Sequence, residues 1–319
     1  MFIHKHPSTC SLVQSISWKD FDEEGEFSVI TQVMLLVHRL PNIKELTLKP
    51  YLYNDVHPSI FKYAINKTIQ SLDVDLNCNE EAIPCSLQWF WQFVACFQCL
   101  RALSIDVIDA YLVKNICSLK SLYQNKLKCS LTSLTLFINS INHVMLLDSL
   151  VEAGTFTSNL KILNVHLDSV DFQYEMDLLC SAIQDLVMHC SDHLQILIFN
   201  SPILPVPISL ESCSNLAQLN YTTGYDSQAE SMLNQLQTIT STDIAYISVI
   251  FDTIYDIKIS DIDVELWNRI DTLLTSPQFA SLHKVTIIQK STLSKGLTFQ
   301  ADILPKLHRC GLLAVLNQT

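Results

Sequence analysis

The chain has 319 residues, of which 49% are hydrophobic and only 16% charged, so it holds enough apolar material to bury a large interior. Twenty basic residues against 32 acidic ones give a net charge of −12, and basic residues never run beyond one or two in a row, so a nucleic-acid backbone would be repelled. The longest apolar stretch, around residues 27–40, is broken by Thr31, Gln32, His38 and Arg39, which excludes a membrane span there.

Taken in chain order, residues 1–26 read as a lead-in that ends in the acidic run DFDEEGE, a solvated loop. From 27 to 319 a frame of the form apolar-x-x-apolar-x-apolar recurs nine times. It falls at Ile43/Leu46/Leu48, Ile69/Leu72/Val74, Leu100/Leu103/Ile105, Leu131/Leu134/Leu136, Leu160/Leu163/Val165, Leu194/Leu197/Phe199, Leu216/Leu219/Tyr221, Ile244/Ile247/Val249 and Leu282/Val285/Ile287. Successive middle residues are 26, 31, 31, 29, 34, 22, 28 and 38 positions apart, the length of one short strand plus one helix. The expected architecture is therefore an α/β leucine-rich repeat solenoid of about nine irregular repeats over residues 27–319. A curved parallel sheet would line its concave face and helices its convex face.

Within the frame NLKILNVHLD, Leu160, Leu163 and Val165 point inward while Asn164 and His166 alternate outward. Three positions past the frame, such repeats often carry an Asn that satisfies the bend; here Asn77, Asn139, Asp168 and Asp252 fill that place and the other five repeats do not. Between frames, intervals of three and four mark helical stripes, as at Phe172, Met176, Leu179, Ile183, Leu186 and Val187. Asp226, Ser227 and Asp261 are expected N-caps of two later stripes. The segment PILPVP at 202–207 is the sharpest interruption and reads as a loop within the array. A doubly wound nucleotide-binding fold is disfavoured, because the five glycines form neither G-x-G-x-x-G nor a phosphate loop.

Candidate chemistry is sparse. Cys96 and Cys99 match C-x-x-C without a second pair at zinc spacing, and His189, Cys190 and His193 cluster at a helix end without further ligands. Eleven cysteines at irregular spacings, with no export signal in residues 1–13, read as buried thiols of a reducing compartment, so a cytoplasmic or nuclear location is expected. No catalytic residue, metal ligand or cofactor is expected from these motifs.

The outward positions are more informative. Asp73 and Asp75 flank inward Val74, and Asp106 occupies the register of Asp75 one repeat later, which builds an acidic patch beside Lys49. Either this is a solvated face or it docks a partner with a basic segment. Further on, the outward set becomes apolar and hydrogen-bonding: Phe137, His166, Ile198 and Ile250, among Thr135, Asn164, Asn200, Asn220, Thr222, Ser248, Thr286 and Ile288. Neighbouring loops or a protein partner would cover the apolar members.

The C-terminal order Trp267, Ile270-Asp271, Leu273-Leu274, Phe279, Leu282, Val285, Leu304-Pro305-Lys306-Leu307 and Cys310-Gly311-Leu312-Leu313 resembles the end of leucine-rich F-box proteins of mushroom-forming fungi. Leu40-Pro41-Asn42-Ile43, opening the first repeat, is similar too. The resemblance implies a non-enzymatic subunit whose repeats capture a substrate for a cullin ubiquitin ligase. It implies the Skp1 adaptor as a partner only where an F-box stands upstream, since no Leu-Pro-x-Glu opening precedes the first repeat here. A free-standing repeat scaffold or decoy is the alternative, and an α/β enzyme a more distant one.

Overall fold

The computed structural model describes residues 12–19, 36–49, 66–75, 87–106, 129–139, 143–152, 154–167, 173–201, 208–223, 226–253, 263–291 and 303–318. The chain divides into two compact units, residues 1–160 and 161–319. Each is α/β, with strands that are all parallel and that pair in chain order.

The first unit contains β1 (Ser15–Lys19), β2 (Glu45–Lys49), β3 (Ser71–Asp75), β4 (Ala102–Asp106) and β5 (Ser133–Ile138). Their registers place Ile16 beside Leu46, Leu46 beside Leu72, Leu72 beside Leu103 and Leu103 beside Leu134. The helices are α1 (Leu87–Val94) and α2 (His143–Glu152). Aromatic rings pack around α1: Trp91 meets its neighbour Phe90 and Phe156, which follows α2, edge-on at 5.1 and 5.7 Å. Buried Trp91 also donates its Nε1–H to Ser149 Oγ at 3.0 Å, and that hydroxyl donates to the Leu146 carbonyl at 2.6 Å, so no polar atom of the pair is stranded in the core.

The second unit contains β6 (Ile162–Leu167), β7 (Ile196–Asn200), β8 (Gln218–Thr223), β9 (Tyr246–Thr253), β10 (Lys284–Ser291) and β11 (Leu313–Gln318). Its helices are α3 (Gln173–Cys190), α4 (Asp226–Thr238), α5 (Val264–Leu274) and α6 (Pro305–Arg309). Along α3 the expected stripe is buried at Met176, Leu179, Ile183, Leu186 and Val187, while Asp177, Ser181 and Asp185 face solvent and Phe172 lies outside the described residues.

All nine frames end in a strand, β2 through β10, and none of their 27 residues is more than 4% exposed. Alternate residues of these strands are half-buried, the burial pattern of a sheet packed on one side. Two further strands appear. Residues 13–18 carry Val13/Ile16/Trp18 and supply β1, which lies inside the lead-in; Cys310/Leu313/Val315 supplies β11.

A backbone device recurs at the strand entrances. One carbonyl accepts two successive N–H groups of the next strand: Gln14, Lys44, Gln70 and Arg101 do so in the first unit, and Lys161, Gln195, Ala217 and Ala245 in the second, at 2.8–3.2 Å. The strand entrances are thus joined by main chain; of the four Asn or Asp residues three positions past a frame, Asn139 is described, and its Oδ1 is buried with no hydrogen-bond partner among the described residues. Asn77 and Asp168 lie outside the described residues, as do the Asp252 side chain and the segments 20–26 and 202–207.

Helix ends are fixed by side chains. Asp263 caps α5, accepting from Glu265 N–H at 3.0 Å and Leu266 N–H at 3.1 Å; Asp261 lies outside the described residues, and Asp226 is the first residue of α4 rather than its cap. The short α6 has no side-chain cap of its own. Buried Asp271 of α5 serves it instead, accepting Lys306 N–H on Oδ2 at 2.8 Å and Leu307 N–H on Oδ1 at 2.9 Å. Gly311, at φ +70°, then turns the chain into β11, a conformation that a side chain would strain. Among the described residues no helix is long and apolar enough to cross a membrane.

Candidate partner-binding face

In the first unit, β3 pairs with β4 so that Asp73 lies beside Ser104 and Asp75 beside Asp106, and β4 pairs with β5 so that Asp106 lies beside Phe137. The expected register of Asp75 and Asp106 is therefore the observed one. All four side chains, Asp73, Asp75, Asp106 and Phe137, are half-buried and point away from the helix-covered side. Neighbouring strands run about 4.8 Å apart, so two like charges in register repel, and a cation placed between them gains from both. Thr47, Asp73, Ser104 and Thr135 form the parallel row beside them. Lys49 pairs through its backbone with Lys19 of β1; its side chain lies outside the described residues.

In the second unit the solvent-facing side of the strands is built from neutral polar groups and then from apolar ones. His166, Asn200 and Thr222 stand in register across β6, β7 and β8. Thr222 donates its hydroxyl to Asn200 Oδ1 at 2.6 Å. That fixes the amide orientation and turns Nδ2 toward β6, where it lies 3.0 Å from His166 Nδ1, 3.2 Å from Nε2 and 3.4 Å from Asn164 Oδ1. Thr222 is buried rather than outwardly accessible, because its hydroxyl is drawn into this row. The arrangement presents fixed donors and acceptors and suits orientation of a bound chain more than proton transfer.

Ile198 lies between Asn164 and Asn220, while Ile250 continues the His166 row toward Ile288 and Leu316. Ile198, Ile250 and Ile288 are half-buried; Leu316, 47% exposed, and Tyr246, 49% exposed, are the more open apolar groups. Sequence reasoning missed both. Tyr246 sits two positions after frame residue Ile244, an outward place by strand alternation, and its ring meets His283 edge-on at 6.2 Å.

The cysteine and histidine clusters do not form a site. Cys96 is buried, its thiol donating to the Gln92 carbonyl, whereas Cys99 is exposed; Cys190 is fully buried and His193 exposed. Burial pushes the thiols of Cys129, Cys180 and Cys213 up to about 11 and that of Cys190 to about 12. Such groups stay protonated and unreactive near neutral pH. Among the described residues no cluster of three His, Cys, Asp or Glu could hold a metal ion. In comparisons with known proteins, no family model matches the chain and no match to a curated protein is found.

Proposed function

We propose that the chain is a non-enzymatic interaction module, a leucine-rich repeat solenoid that binds a protein partner through the solvent-facing side of its strands. The observation that carries the binding mode is the row of Asp75 and Asp106, with Asp73 two positions before Asp75 on the same face. Strands that place like charges side by side favour a ligand carrying the opposite charge, so a partner segment rich in Lys or Arg fits this face. The solenoid reading is supported by the recurring strand entrance, one carbonyl taking two N–H groups, at four successive pairs in each unit. Identification with the substrate-capturing repeats of a fungal F-box protein rests on the C-terminal motif from Trp267 to Leu313.

The test is a titration of the full chain with a fluorescent lysine-rich peptide, alongside the triple variant Asp73→Asn, Asp75→Asn, Asp106→Asn. Each partly exposed ion pair is worth about 0.2–1 kcal/mol, so the variant should lose about 1–2 kcal/mol, roughly five- to thirtyfold in affinity at low salt, and show a shallower salt dependence. Unchanged binding at low salt removes the patch from the site. The ligase link is tested separately by Skp1 co-purification. Failure of the adaptor to bind both this chain and one extended by an upstream reading frame leaves the free-standing scaffold.

A further inference from the structure

A second surface, distinct from the strand face, lies at the outer edge of β11. This strand pairs with β10 on one side and is the last of its sheet among the described residues. Val285 lies opposite Leu313 and donates its N–H to the Leu312 carbonyl at 2.8 Å. In a parallel pair the backbone groups of one residue point both to the same side and those of the next to the other. Leu312, Ala314 and Leu316 therefore face β10, and Leu313, Val315 and Asn317 turn their N–H and C=O groups to the outer edge. Leu313 and Val315 are half-buried, where their register partners Val285 and Ile287 are at most 1% exposed, and Leu316 is 47% exposed. An edge of this kind offers a template for one more strand.

The charge of this end says what kind. Residues 267–319 hold six Lys or Arg and two Asp or Glu, net +4, whereas residues 1–266 hold 14 and 30, net −16. Lys284, Lys306 and Arg309 are all exposed, and Arg309 ends α6 just ahead of β11. Buried Asp271 turns its carboxylate into the backbone of α6 and does not offset them at the surface.

We infer that the β11 edge binds an extended acidic peptide segment of a partner protein as an added strand, through main-chain hydrogen bonds to Leu313, Val315 and Asn317 with acidic flanks toward the cationic end. Pairing with a second copy through β11 would bring two such cationic ends together, which disfavours that occupant.

The probe is a fluorescein-labelled peptide, Glu-Glu-Val-Thr-Val-Thr-Val-Glu, titrated with the full chain and read by anisotropy. Binding is expected, and it should fall about tenfold or more when alternate peptide nitrogens are methylated, a change that leaves the protein untouched. Val315→Pro should do the same, since it removes an edge-facing N–H without breaking a bond to β10. Arg309→Glu should weaken binding and flatten its salt dependence. Any of three outcomes overturns the inference: no binding, binding indifferent to N-methylation, or equal binding of polyglutamate, which means charge alone. Concentration-dependent dimerisation that Val315→Pro abolishes assigns the edge to a second copy and overturns it equally.

Discussion

Replacing Asp271 should loosen the C-terminal end of the second unit out of proportion to the size of the change. Its two carboxylate oxygens accept the N–H groups of Lys306 and Leu307 at 2.8 and 2.9 Å, and α6 has no other side-chain cap. Hydrogen bonds to a charged group contribute about 1.5–3 kcal/mol each, so Asp271→Ala, which loses both in a buried setting, should cost about 3–5 kcal/mol. Asp271→Asn retains one acceptor but turns an NH₂ group toward the other N–H, and about 2 kcal/mol is expected. Urea denaturation gives the overall cost. Hydrogen exchange locates it, since the Lys306 and Leu307 amides should lose protection first and β6 and β7 should change little. If Asp271→Ala costs under about 1 kcal/mol with those two amides still protected, the clasp contributes nothing and the reasoning fails.

Two other perturbations follow from the buried polar and thiol groups. Ser149→Ala takes away the acceptor of Trp91 Nε1 in the core of the first unit and should destabilise by about 1–3 kcal/mol in urea denaturation; no loss would mean that the bond at 3.0 Å is energetically idle. Burial raises the Cys190 thiol from 9.0 to about 12, so the folded chain holds this proton while the unfolded chain releases it. The resulting stability is whole below pH 9 and declines as pH rises from 9 toward 12. At pH 10 the loss is on the order of 1 kcal/mol for this thiol alone. Cys190→Ala should lower stability at pH 8 by removing packed volume, yet shrink the further drop between pH 8 and pH 10 by about that amount. An equal drop in variant and wild type would show that the thiol does not titrate as argued.

The strands were legible because their signal comes from tertiary packing. Every strand must bury two alternate residues plus a third just ahead of it, so the frame repeats wherever a strand has neighbours on both sides. The middle position of the frame carries the same burden each time: Leu46, Leu72, Leu103 and Leu134 are buried in the first unit, as Leu163, Leu197 and Leu219 are in the second. At β1 and β11 the burden lightens. Val13 and Ile16 are half-buried and Cys310 is exposed, so polar or weakly apolar residues are tolerated and the frame fades, although spacings of 30 residues from Ile16 to Leu46 and 28 from Val285 to Leu313 would have revealed it. The strand face was legible only as a list of outward residues. That Asn200 links Thr222 to His166 depends on registers across three strands, which local spacing does not encode.

The clasp also bears on what a resemblance in sequence is worth. Asp271 and Pro305-Lys306-Leu307 stand in the C-terminal order on which the proposed likeness to fungal F-box proteins rests, and here they meet for a physical reason: a five-residue helix without its own cap takes its acceptors from the helix before it. A short helix closed this way needs an acceptor at that place, whatever the protein binds. These residues therefore speak for a way of capping a short helix and not for a ubiquitin ligase. Evidence on function has to come from residues on which the fold depends least. On the strand face those are Asp73 and Tyr246, whose substitution tests recognition with little disturbance of the fold; at the edge, where Val315 is a half-buried frame residue, methylation of the peptide nitrogens is the test that leaves the fold untouched.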